Sequence, residues 1–303
     1  MSLKVWLKAL RVPFLTATIV PVLLGSVIAW HTIDSFHWLY FFLVFIGVSF
    51  LHFGTNLAND YHDHKSGNDG VNETPTQFSG GSRVIQDGLI SPKKILRAAV
   101  AFFAGGAAIG LYLSLALQSI EILILGVIGI FFGYFYTAVP FKFGYHGFGE
   151  FIVGLCFGPL VVLGSYYVQA QHFSLIAFAA SIPVGILITL VLYINEFPDY
   201  NADKSVGKKT LVVKFKKQKA MILYHFFLFL TYLSILGFTL FGIFPVWTLI
   251  TFITLPLAIK AYMVSKKHFD EVEELLPANA MTIALHLGIG VLLSVGFVLD
   301  KIL

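Results

Sequence analysis

Nine long apolar runs separated by polar breaks dominate this chain, at residues 12–31, 36–54, 95–117, 120–137, 148–170, 173–194, 220–241, 245–263 and 279–299. A helix rising 1.5 Å per residue needs about 20 apolar residues to cross the ~30 Å hydrocarbon core of a bilayer. Inside that core only helices and closed barrels satisfy every backbone amide, and barrel strands are only about ten residues long. The runs therefore predict an all-α, polytopic membrane protein with nine transmembrane helices. With 57% of 303 residues hydrophobic and 12% charged, little is left for a large soluble domain or a disordered tail. A single cysteine, Cys156, excludes a disulfide framework and any cysteine-based metal cluster. Gly105, Gly106, Gly158, Pro159 and Pro183 lie inside the runs and are expected where membrane helices pack closely.

Charge sets the orientation. If the N-terminus is cytoplasmic, 19 of the 20 Lys and Arg residues fall in cytoplasmic segments and only Lys301 lies outside. An eight-span alternative, made by fusing the third and fourth runs, moves Lys142 outside and strands the seven lysines of 204–219 there as well. The modest excess of bases thus follows membrane sidedness and makes no case for nucleic acid as a partner. No small-residue cleavage site follows the first run, so it is expected to stay as a helix.

Two connections are long, 55–94 and 195–219, and both are expected in the cytoplasm. The first carries Asn59, Asp63 and Asp69; the second carries Asn195, Asp199 and Asp203. In each, the amide and the first acid are four residues apart, which puts both on one face of a helix end. The motifs begin 136 residues apart, once per half, as in two pseudo-repeated four-helix units with a ninth helix appended. Such repeats commonly hold a site between the halves. One acid cluster alone is usually a solvated cap; two of matching grammar in the same leaflet are not. Oxygen-only ligands suit Mg²⁺, which is typically held by one or two carboxylates, waters and substrate phosphates. The nearby bases Lys65, Arg83, Lys142, Lys204, Lys208 and Lys209 suit the phosphates themselves. The composite predicts a site for a diphosphate ester whose apolar part lies in the membrane.

At these residues the chain resembles the UbiA superfamily of intramembrane prenyltransferases, whose motifs have the forms Asn-Asp-x-x-Asp-x-x-x-Asp and Asp-x-x-x-Asp. Asn59, Asp60 and Asp63 match the first motif, Gly67 stands at its fourth position with the acid displaced to Asp69, and Asp199 and Asp203 complete the second. The displaced acid is similar to the branch that prenylates 1,4-dihydroxy-2-naphthoate on the way to menaquinone, and residues 56–69 follow that branch throughout. Arg11-Val-Pro13, Ser79 to Arg83, Tyr136-Thr137, Gly147 to Glu150 and Gly207 to Leu211 extend the likeness along the chain. A Tyr-x-x-x-Lys element usual near the end of the fourth helix is stretched here, with Tyr136 and Lys142 six apart.

The resemblance implies one membrane domain over 1–303, capped by loops 55–94 and 195–219, in the inner (plasma) membrane with its active site cytoplasmic. It implies Mg²⁺-dependent transfer of a prenyl group from its diphosphate to a small aromatic acceptor. Asn59, Asp63, Asp69, Asn195, Asp199 and Asp203 are the implied metal ligands. Arg11, Lys65, Arg83, Lys142 and Lys209 are the implied diphosphate contacts. Asp60, Asp199 and Tyr136 are the implied catalytic groups, as base or as an aromatic face for the prenyl cation. Alternatives are another acceptor (4-hydroxybenzoate, a porphyrin or a glycerol phosphate lipid) or, in a different class, a secondary transporter.

Overall fold

The structure is a computed structural model that describes residues 2–303. Every described regular element is helical, and each of the nine apolar runs holds a helix. A short α1 (Leu3–Ala9) leads into the first long helix (Val12–Ile33), whose body is α2 (Thr16–Ile33). There follow α3 (Trp38–Ser66), the one-turn α4 (Asn68–Val71), α5 (Pro92–Ala116) and α6 (Ile120–Phe135). The fifth long helix (Gly149–Ala170) comprises α7 (Gly149–Leu155), a π segment at Cys156–Leu160 and α8 (Val161–Ala170). Then come α9 (Leu175–Asn195), α10 (Tyr200–Ser205), α11 (Leu211–Leu240), a 3₁₀ segment running into α12 (Leu255–His268), and α13 (Val272–Ile302).

Eight of these helices are long and apolar enough to cross a bilayer; α6 is apolar but has 16 residues, about 24 Å at 1.5 Å per residue. Large apolar side chains such as Trp38, Phe151, Phe229, Phe241 and Ile253 stand exposed around the bundle. On a protein surrounded by water they would be aggregation sites; against lipid tails they cost nothing. The chain is an integral membrane protein.

Lipid is as apolar as leucine, so the helices are held by close packing and by interhelical hydrogen bonds. One core cluster joins α2, α8, α9, α11 and α13 around Tyr166, Tyr224 and Phe297. Tyr224 and Thr282 bond at 2.7 Å, as do Tyr232 and Thr254, each worth about 0.6 kcal/mol in a membrane. A second cluster joins the ends of α1, α3 and α5 beneath the first loop.

Backbones also approach closely where Pro159 widens the fifth helix into its π turn. A Cβ on Gly158 would lie 2.7 Å from Gly185 Cα and 3.0 Å from the Ser181 carbonyl, both backbone atoms of α9. Gly158→Ala is therefore expected to force these helices apart and to cost about 1–3 kcal/mol. Thermal unfolding in detergent would detect that loss.

The polar ends depart from the expected boundaries. The expected loop 55–94 begins as helix: α3 continues past its apolar run to Ser66 and stops where Gly67 takes φ +84. The expected loop 195–219 contains α10 and the start of α11. In α3 the hydropathy ends before the helix does, because its last turns carry Asn59 and Asp63 into a polar cavity and not into lipid; the first turns of α11 instead carry exposed lysines.

Candidate functional site

Helix α3 carries Asn56, Asn59 and Asp63 at three- and four-residue spacing on its inner face. Gly67 turns the chain so that α4 brings Asp69 back over that face. Asn195 is the last residue of α9, Asp199 caps α10 and Asp203 lies within it. Asn59, Asp63, Asp69, Asn195, Asp199 and Asp203 all line one cavity of ≈ 210 Å³, together with Arg11, Tyr136, Glu196 and Lys208.

The two motifs touch each other directly. Asn68 Nδ2 donates to Asp203 Oδ1 at 3.1 Å, and Asn72 Nδ2 donates to Asp199 Oδ1 at 2.8 Å. Gly80, at φ +77, donates its backbone N–H to Asp199 Oδ2 at 3.0 Å. Neighbouring Gly81 has to stay bare, since a Cβ there would meet Asp69 Oδ2 at 2.8 Å. Lys208 reaches between the halves, 3.3 Å from Asp203 and 3.8 Å from Asp63. The hydroxyl of Tyr145 donates to Asp63 Oδ1 at 2.7 Å.

The remaining predicted residues divide. The Arg11 guanidinium pairs with Asp60 and donates to Asn59 Oδ1 at 3.2 Å. Asp60 is buried and also receives the Ser82 hydroxyl, so both its oxygens are engaged. Tyr136 follows the end of α6, where bare Gly144 and Gly149 leave room for its ring, and its hydroxyl has no partner among the described residues. Arg83 donates to the Asp69 carbonyl at 2.7 Å and lies beside the cavity, not in its lining. Lys65 and Lys209 are exposed, and Lys142 lies over the Tyr145 ring; none of these three lines the cavity. Asn195 Oδ1 accepts from Asn279 of α13 at 2.7 Å.

Negative charge is in excess: Asp63, Asp69, Asp199, Asp203 and Glu196 line the cavity against Arg11 and Lys208. Burial, then Asp63 and Asp60, pushes the Asp69 carboxyl up to about 8. Burial, then Asp199, pushes Asp203 up to about 6 despite Lys208. Burial opposes the charge on Lys208, but Asp203 and Asp63 more than offset it and hold the ammonium well above its usual range. Asp203 Oδ2 and Asn68 Oδ1 are buried without a partner. An oxygen-only donor set with orphaned buried oxygens and surplus negative charge fits a hard divalent cation. Among the described residues no three His, Cys, Asp or Glu side chains converge into a cage. Mg²⁺ keeps waters and takes phosphate oxygens, so it does not require an all-protein cage.

A second cavity, of ≈ 170 Å³ and apolar, runs between α3, α5, α6 and the fifth long helix. It shares His52, Thr55, Tyr136, Val153 and Phe157 with the polar one, so the two adjoin at these side chains.

The chain is matched over residues 18–289 by the model of the UbiA prenyltransferase family. It belongs to that family. A 1,4-dihydroxy-2-naphthoate octaprenyltransferase of Bacillus subtilis is 30% identical, covering 94% of this chain and 89% of its own length. A 2-carboxy-1,4-naphthoquinone phytyltransferase of Synechocystis sp. is 28% identical over 97% and 93%. Among solved structures, a UbiA homolog from Aeropyrum pernix K1 shares the fold with a TM-score of 0.67 and 15% identity, covering 99% of each chain. A UbiA homolog from Archaeoglobus fulgidus bound to GPP and Mg²⁺ does so at 0.60 and 15%, covering 96% of this chain and 99% of that one. The chain is thus a prenyltransferase by family, and the transporter alternative draws no support from these relatives.

Sequence reasoning passed over Asn68, Asn72 and Tyr145 and weighted Lys208 no more than its neighbours. Asn68 and Asn72 carried one signal, an amide pair four apart beside the first motif.

Proposed function

We propose that the protein transfers a prenyl group from its diphosphate to 1,4-dihydroxy-2-naphthoate, in the menaquinone pathway, with Mg²⁺ required. The observation that carries this reading is the cavity in which the two motifs meet, with an apolar cavity directly beside it. Together they offer a charged part for a diphosphate and an apolar part for an isoprenoid. The naphthoate-specific relatives and the Gly67–Asp69 pattern favour that acceptor.

Asp63, Asp69, Asp199 and Asp203, with Asn59 and Asn195, would hold Mg²⁺. Its part is to neutralise charge that grows on the departing diphosphate. Lys208 and Arg11 add charge-assisted contacts of their own, and Asp60 acts by holding Arg11 in place. The allylic carbon–oxygen bond breaks with its electron pair passing to the diphosphate oxygen. The aromatic ring then attacks the allylic carbon, and the carboxylate of the acceptor leaves as carbon dioxide. The Tyr136 face and the apolar walls shield the cationic carbon from water.

The first loop supports its assignment as a cap, since Phe78 to Gly81 line the cavity from above. The nine helices are proposed as nine spans, α6 being the short one, in two four-helix units plus α13. The distribution of basic residues favours a cytoplasmic N-terminus and a cytoplasmic site, in the cell membrane. Incubating the purified protein with labelled prenyl diphosphate and a panel of acceptors tests the reading. Label in the naphthoate product is expected; label only in 4-hydroxybenzoate, porphyrin or glycerol phosphate products overturns the acceptor.

Gly110 and Gly126 line the apolar cavity, and a Cβ on either meets nothing within 4 Å. A bulky side chain there would project into the tail path. Gly126→Phe is expected to cut turnover of long prenyl diphosphates about tenfold or more while sparing dimethylallyl diphosphate, a ratio read from kcat/KM across chain lengths.

A further inference from the structure

Between the polar site and the apolar cavity stands an ionisable side chain for which the reaction above has no task. His52 lies seven residues before Asn59 on α3, about 10 Å deeper in the membrane at 1.5 Å per residue. Ionisable residues at such depth are costly and are usually kept for function. His52 is 8% exposed and borders both cavities.

Its ring is held on two sides. Nδ1 is 3.0 Å from Thr18 Oγ1 on α2, and the ring meets Phe157 edge-on with centroids 5.0 Å apart. Nε2 has no hydrogen-bond partner among the described residues. Thr55, which also borders both cavities, spends its hydroxyl on the Leu51 carbonyl at 2.9 Å. Tyr136 borders both cavities too but already shields the cationic carbon in the reaction above, so His52 is the polar group left without a task where the two cavities adjoin. One arm below the acids is the apolar cavity between α3, α5 and α6. The other is bounded by Phe14, Ala17, Ile188 and Val191, from the first long helix and α9. A single prenyl tail follows one arm and leaves the second for a flat apolar ring.

We propose that Nε2 of His52 is the hydrogen-bonding contact for a polar ring substituent of the aromatic acceptor, bound in the arm between the first long helix and α9. This rests on the prenyl-transfer reading. The Thr18 hydroxyl both donates and accepts, so it supports either tautomer of His52. With the proton on Nδ1, Nε2 accepts from a phenolic hydroxyl; with the proton on Nε2, it donates to a carboxylate or carbonyl. Either bond orients the ring and selects against analogues that lack the substituent. Loss of such a bond in a dry site costs about tenfold or more in specificity.

The test uses the full chain in detergent or lipid nanodiscs and measures KM separately for acceptor and prenyl diphosphate. His52→Leu is expected to raise the acceptor KM tenfold or more while the diphosphate KM stays within threefold. His52→Gln, which keeps a polar end, is expected to recover most of that loss. Thr18→Val leaves His52 in place but frees its ring; it is expected to raise the acceptor KM about threefold, and it decides the question if His52→Leu does not fold. An unchanged acceptor KM overturns the proposal, and so does a parallel rise in both constants, which marks a packing role. If the wild-type protein prenylates no aromatic acceptor, it is the prenyl-transfer reading that fails. If the wild type is active and the variants are indistinguishable from it, only the assignment to His52 fails.

Discussion

Asp63→Asn and Asp199→Asn are each expected to lower kcat/KM for prenyl transfer by about 10³-fold while the protein stays folded. Both carboxylates face the cavity from opposite motifs, and each is already bonded through an oxygen that asparagine can retain. Asp63 Oδ1 takes the Tyr145 hydroxyl at 2.7 Å, and Asp199 Oδ1 takes Asn72 at 2.8 Å. Asp63→Asn removes a negative charge and keeps that bond, whereas Asp199→Asn also turns its new amide NH2 toward one of two donors, Asn72 or the Gly80 N–H, so thermal unfolding is measured beside its rate to separate metal–diphosphate loss from scaffold loss. Removing one preorganised electrostatic group at a developing charge typically costs 10²–10³-fold, and a lost metal ligand adds to that. Because the two acids serve one leaving group, the double variant should be scarcely worse than either single one. Initial rates with labelled prenyl diphosphate at saturating Mg²⁺ provide the measurement. Losses below about tenfold in both variants would show that the acids are structural.

Lys208→Met is expected to have the largest combined effect on stability and activity. Its ammonium is mostly buried, at 14% exposure, between Asp203 and Asp63. Removing one partner of such a group strands buried carboxylates, typically at a cost of about 3–5 kcal/mol. The same change removes a direct contact to the diphosphate, so its KM should rise about tenfold or more. Mg²⁺ should recover part of the stability, because it binds the folded state through the stranded acids. Lys208→Arg should keep the charge and most of the stability. Thermal unfolding with and without Mg²⁺, paired with the diphosphate KM, separates these effects; a variant as stable as wild type without metal would contradict the account.

Helix positions were legible because lipid-facing residues must be apolar along a whole span, so each of the nine runs holds a helix, although α3, α11 and α13 extend seven to twelve residues beyond their runs. That the amides and acids of 59–69 and 195–203 share one cavity was also legible, since matched spacing at matched helix ends implies a common surface. The pairing itself was not. Asn68 meets Asp203 and Asn72 meets Asp199 across more than a hundred residues, and local periodicity carries no record of that. Nor do adjacent lysines differ in composition: Lys208 points inward and Lys209 is exposed, because the turn after α10 presents one side to the acids. Asp60 stands beside Asn59 in the motif, yet one step along a helix turns it about 100° away, toward Arg11 and Ser82. His52 was hidden by its apolar neighbours, which concealed a polar position within a membrane span.

The central claim is that both motifs together hold a prenyl diphosphate through Mg²⁺. Equilibrium binding of a non-reactive prenyl thiolodiphosphate to the purified protein tests it most directly. Saturable binding that requires Mg²⁺ and is lost in both Asp63→Asn and Asp199→Asn is the predicted result. Binding that persists with the metal chelated, or that survives either substitution unchanged, would contradict it.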